Sequence, residues 1–111
     1  MRQIPFEYLN LIPEVLEWHT TTFDGSSFII DGNTAGFDSY ACQRRLKRIL
    51  DRWDKEHRLA EQGVKPFEIE DKEVYFLRIA MSDAVDEWST LSLKNIQEQD
   101  VRNFLEWLSS R

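Results

Sequence analysis

Residues 72–81 read KEVYFLRIAM, and the reading of this run decides the fold. Apolar side chains occupy both alternating faces, the pattern of a central strand covered on two sides. On that reading PFEIE (66–70) pairs before it across Asp71-Lys72, and EWSTLSL (87–93) supplies a further strand. Upstream, VLEWHTTTF (15–23) is rich in β-branched and aromatic residues, and SSFIID (26–31) follows Asp24-Gly25. Two such runs across Asp-Gly predict a hairpin over 15–31. Helix over 13–19 is the competing reading, because Pro13 suits a first helical turn. An echo between EVLEWHTTTF (14–23) and AVDEWSTLSL (84–93) shares Val, Glu, Trp and Thr at matching positions and favours strand for 85–93.

Two helices stand beside this sheet. Between 39 and 62, Cys42, Leu46, Ile49, Leu50, Trp53, His57 and Ala60 recur at the spacing of one helix face. Asp38 or Ser39 offers an N-cap oxygen, and Gly63 a left-handed stop. A second helix is expected over about 97–109, with Val101, Phe104, Leu105 and Leu108 on its apolar face. Together these elements predict one α+β domain over 1–111: a mainly antiparallel sheet with strands in 15–31 and 66–93, and two helices packed on it.

Composition bounds the function. A hydrophobic fraction of 41% over 111 residues is enough for a core without a partner. The net charge of −6 disfavours generic attachment to nucleic acid or anionic membranes. Cys42 is the one cysteine, so neither an intrachain disulfide nor a Cys-rich metal site can form. Pro5, Glu7, Pro13, Glu14 and Glu17 interrupt the N-terminal apolar stretch before it reaches signal-peptide or membrane-span length. The expected location is cytoplasmic, with no membrane contact.

Ligand-bearing motifs fail at named positions. DGNTAG (31–36) begins like a calcium loop, but its fifth position is Ala35 and its twelfth Cys42, neither an oxygen-bearing side chain. Gly32 and Gly36 do not make a dinucleotide fingerprint, and no Gly-Lys-Ser/Thr follows them. His19 in a Thr-rich strand would share its face with Glu17 and Thr21, while His57 falls on the core face of the long helix. No His/Cys spacing suits zinc, and Cys42 is expected to be buried beside Leu46 and inert. No cofactor, metal or catalytic residue is therefore assigned.

Charge is more informative. Asp51–Lys55, Asp54–Arg58 and Arg52–Glu56 are four apart and neutralise the later half of the long helix. Arg44, Arg45, Lys47 and Arg48 have no acid between Ser39 and Leu50, and they lie toward the helix end that disfavours cations. Residues 67–100 hold nine acids against three bases, a net of −6, and could neutralise them from elsewhere in the fold. Otherwise the cluster meets an external anion. Trp107 lies about 120° from the centre of its helix's apolar stripe, either closing the core edge or touching a partner. The interface candidates are thus Arg44, Arg45, Lys47, Arg48, Asp83, Asp86, Glu87 and Trp107. The class these features suggest is a small interaction protein: a stoichiometric inhibitor of the immunity or antitoxin kind, or an adaptor subunit. Its partner would be another protein, of which a basic toxin or nuclease is one type; self-pairing is a further option. Nucleic-acid binding through 44–48 is the alternative class, and a small enzyme with an unrecognised site the third.

Overall fold

The computed structural model describes residues 2–22, 39–91, 93 and 95–110. Arg2–Gln3 (β1) and Glu68–Ile69 (β2) form a two-stranded antiparallel sheet, with Arg2 opposite Ile69 and Gln3 opposite Glu68. All other regular structure among the described residues is helical: α1 (Phe6–Leu9), α2 (Leu11–Thr22), α3 (Ser39–Glu61), α4 (Asp71–Asp86), a 3-10 turn (Trp88–Thr90) and α5 (Glu98–Ser109). The expectation of a mainly antiparallel sheet is overturned. The molecule is mostly helical.

Residues 72–81 belong to α4, not to a central strand. Its buried residues, Glu73, Val74, Leu77, Ala80, Met81 and Ala84, follow steps of three and four. The helix packs against α2, α3 and α5. A helix covered on several sides needs apolar residues around most of its circumference, and that imitates a doubly covered strand. Length separates the two, since α4 runs 16 residues and strands seldom pass about ten. Asp71-Lys72 is the first turn of this helix rather than a strand-to-strand turn. The Glu70 N–H donates to Glu73 Oε1 at 2.8 Å, closing the start.

The strand expected over 15–23 is helix through Thr22. Buried Leu11, Ile12, Val15, Leu16 and His19 carry the 3.6-residue period, and Pro13 sits in the first turn, where its missing N–H costs nothing. Thr20 fits because its Oγ1 donates to the Leu16 carbonyl at 2.8 Å. The hairpin's remainder, the 31–36 loop and the Asp38 cap lie outside the described residues. Trp88–Thr90 form the 3-10 turn, and Leu91 and Leu93 lie in no regular element, so the described part of the echo between 14–23 and 84–93 is not one of strands. Of the segment 66–70, only Glu68–Ile69 is strand.

The two remaining helices end within two residues of their expected bounds. Gly63 takes φ = 71°, its N–H bonds to the Ala60 carbonyl (3.1 Å), and the Val64 N–H bonds to the Leu59 carbonyl (2.9 Å). That pair of bonds satisfies the last carbonyls of α3. The core gathers Ile12, Leu16, Leu46, Ile49, Phe67, Leu77, Met81 and Phe104 from α2 to α5 and the segment before β2. The Arg2 guanidinium donates to the Trp107 and Leu108 carbonyls at 2.9 and 3.2 Å, fastening β1 to the end of α5.

Candidate interaction surfaces

The basic cluster occupies the outer side of α3 near its start. Arg44, Lys47 and Arg48 are exposed, while Arg45 is half-buried with its guanidinium 6.0 Å from the Phe76 ring centroid. Among the described residues none of the four makes an ion pair. Four acids of 67–100 are engaged elsewhere: Glu73 with Arg52, Glu70 with Lys72, Glu98 with Arg102 and Asp83 with His19. Of the three pairs expected along α3, only Arg52–Glu56 closes, at 3.6 Å. Arg52 binds more closely to Glu73, whose two oxygens accept from Nη1 at 3.0 and 3.1 Å, and its Nη2 donates to the Glu68 carbonyl. That residue joins α3, α4 and β2.

His19 is not in a strand beside Glu17 and Thr21. It is fully buried on α2, with Nε2 2.8 Å from Asp83 Oδ2 and Nδ1 3.2 Å from Gln43 Nε2. A carboxylate only accepts, so Nε2–H donates to Asp83, and in the neutral ring Nδ1 accepts from the Gln43 amide. One imidazole thereby links α2, α3 and α4. Asp83, an interface candidate by sequence, has this internal partner 64 residues away and half-lines a surface cleft. Asp86 and Glu87 are exposed at the end of α4.

Trp107 is half-buried at the core edge. Arg2 lies over its ring with Cζ 4.1 Å from the centroid, and Tyr8 and Phe104 flank it at 6.2 and 6.0 Å. Tyr8 stacks on Phe104 at 4.9 Å. Partial burial, and after it the charges of Glu7, Glu106 and Asp100, push the Tyr8 hydroxyl above its ordinary pKa. His57 is half-buried rather than core, its ring parallel to Trp53 at 3.9 Å and its Nδ1–H donating to the Trp53 carbonyl at 2.8 Å.

One surface was not anticipated. Phe6 is 66% exposed, Val64 69% and Leu59 39%. Phe6, Ala60, Gly63 and Pro66 wall a cleft of about 370 Å³ whose lining includes Ile4, Leu9 and Phe67. Leu59 and Val64 adjoin it through the Gly63 stop, and the exposed acids Glu7 and Glu61 stand beside it in sequence. The sequence signal was present, because an apolar residue just beyond a helix-stopping glycine meets one four residues before that glycine. Phe6 gave none.

Among the described residues no three His, Cys, Asp or Glu side chains gather to hold a metal. Cys42 is buried, and desolvation, followed by the Asp83 charge, raises its thiol to about 11, leaving it a protonated and poor nucleophile. No described helix is long and apolar enough to cross a membrane. No protein-family model matches this chain, and no curated protein or solved structure matches it either.

Proposed function

We propose that this protein is a binding module without chemistry of its own, a stoichiometric inhibitor of the immunity or antitoxin kind or an adaptor subunit, acting by covering a surface of another protein. The observation that carries this reading is a cleft walled by exposed Phe6, with exposed Leu59 and Val64 next in sequence to its lining residues Ala60 and Gly63. Large side chains left in water beside a concavity are the anatomy of a binding hot spot, and a polar rim completes it. Exposed Glu7 and Glu61 adjoin Phe6 and Ala60 of the lining in sequence, on a chain of net charge −6, which suits a basic partner surface such as that of a nuclease or toxin.

The test is affinity capture from the source cell with three forms of the chain. The wild type and Arg44→Glu/Arg48→Glu should retain one stoichiometric partner, and Val64→Asp should lose it while keeping its far-UV spectrum. Capture that is indifferent to Val64→Asp, or that yields no stoichiometric partner, removes this reading.

A second reading is favoured by the absence of ion pairs at Arg44, Arg45, Lys47 and Arg48 among the described residues. These cations would then grip phosphates, and the chain would be a nucleic-acid-binding regulator. Binding should weaken steeply with salt and vanish in Arg44→Glu/Arg48→Glu. If no DNA or RNA shifts at low salt, the idea is finished.

A further inference from the structure

The outward face of α4 carries a pattern that its own helix does not explain. At 100° per residue, Lys72, Tyr75, Ile79, Ser82, Asp83 and Asp86 fall within a stripe about 100° wide. Tyr75 is 55% exposed, Lys72 and Asp86 are exposed, and Ile79, Ser82 and Asp83 are half-buried. A cleft of about 440 Å³ runs along this stripe, walled by Tyr75, Arg78, Ile79, Ser82 and Asp83 of α4 on one side and Leu105 and Ser109 of α5 on the other. The stripe is apolar at its centre, cationic at its start and anionic at its end.

Both terminal charges lie at the wrong end of α4. A helix start favours anions and a helix end favours cations, so Lys72 in the first turn and Asp86 in the last each oppose the macrodipole. Lys72 reaches Glu70 at 3.5 Å, an exposed contact of little worth, and Asp86 makes no ion pair among the described residues. An antiparallel copy of the same helix reverses the argument. Each charge would then sit beside the favourable end of its neighbour.

Register strengthens the case. With a two-fold axis at Ile79, Lys72 and Asp86 stand seven residues on either side and face each other across the pair. Tyr75 and Asp83, four on either side, do the same, and Phe76 faces the small Ser82. The phenolic O–H can donate to a carboxylate for which His19 is the one described partner. Two-fold contacts require a patch complementary to its own reversed copy, with every contact made twice. We infer that the outward face of α4 is a self-pairing surface, on which a second copy of this chain docks antiparallel through Ile79 and Tyr75 with reciprocal Lys72–Asp86 ion pairs. On α5 the groove residues Leu105 and Ser109 lie on the opposite flank of the buried stripe from Trp107, and the apolar end at Phe6 stays free for another partner.

Sedimentation of the full chain over a range of concentrations tests this. The wild type should show a concentration-dependent dimer. Lys72→Asp and Asp86→Lys should each associate roughly fivefold to tenfold more weakly, because every lost pair counts twice. An equimolar mixture of these two variants should recover near wild-type association as a heterodimer, since both cross-pairs are then complementary. Tyr75→Arg should be monomeric at concentrations where the wild type pairs. A wild type that stays monomeric throughout, or a mixture that pairs no better than its components, overturns the inference. Lys72 and Asp86 are solvent-exposed, so the mixing experiment holds even if Tyr75→Arg misfolds.

Discussion

Gly63 adopts φ = 71°, a region that costs a residue with a Cβ about 1–2 kcal/mol. A Cβ built there meets no atom within 4 Å, so the penalty is one of backbone alone. Gly63→Ala should therefore lower stability by about 1–2 kcal/mol and Gly63→Asn by less, measured by urea denaturation. This residue was legible in sequence because its cause is local: a helical period ends and a glycine follows. For Trp107 the angular offset from the α5 stripe left core edge and partner contact both open, and the structure packs it, partly buried, against the core. His19 was not legible. Its partners Gln43 and Asp83 lie 24 and 64 residues away, and no local pattern announces a contact of that range. Reading Asp83 as a surface acid missed this tie to His19 for the same reason.

At the scale of elements, α3 and α5 declared themselves because each has one polar and one apolar side. The helix α4 did not, being flanked by α2, α3 and α5. Val74, Tyr75, Phe76, Leu77, Ile79 and Ala80 satisfy a two-residue alternation as well as a helical period, and the β-branched and aromatic share tipped the reading toward strand. In α2 the bias came from Thr20, Thr21 and Thr22, whose propensity was overridden by the packing of Leu11, Ile12, Val15 and Leu16. Arg78 gives a direct check, as it is exposed in the middle of α4. Arg78→Gly should be about 1 kcal/mol less stable than Arg78→Ala, the difference a helix interior imposes, read from the midpoints of paired denaturation curves.

For the whole molecule, burial of Cys42 couples folding to alkaline pH. The thiol rises from 9.0 to about 11 on desolvation, so the folded state favours the protonated form. The unfolded chain ionises first, and the stabilising contribution is complete below pH 9 and lost as pH climbs toward 11. Cys42→Ala should flatten the fall in stability over that interval. At pH 8 the native thiol should react with a thiol-specific dye far more slowly than the denatured one, as followed by absorbance. The same burial that makes Cys42 a core residue thus removes it from chemistry.

The fastening of Arg2 to the end of α5 also orders events in time. Its acceptors are 105 and 106 residues further along the chain, and the Ile4 N–H bonds to the Phe67 carbonyl. Synthesis delivers residues 2–4 well before residues 67, 107 and 108. At about 5–20 residues per second, residues 2–4 wait roughly 5–20 s before residue 108 exists to receive Arg2. Through that interval Arg2 lacks both of its described native acceptors. A nascent-chain binding factor that recognises residues 2–4 would have those seconds in which to act before these contacts close.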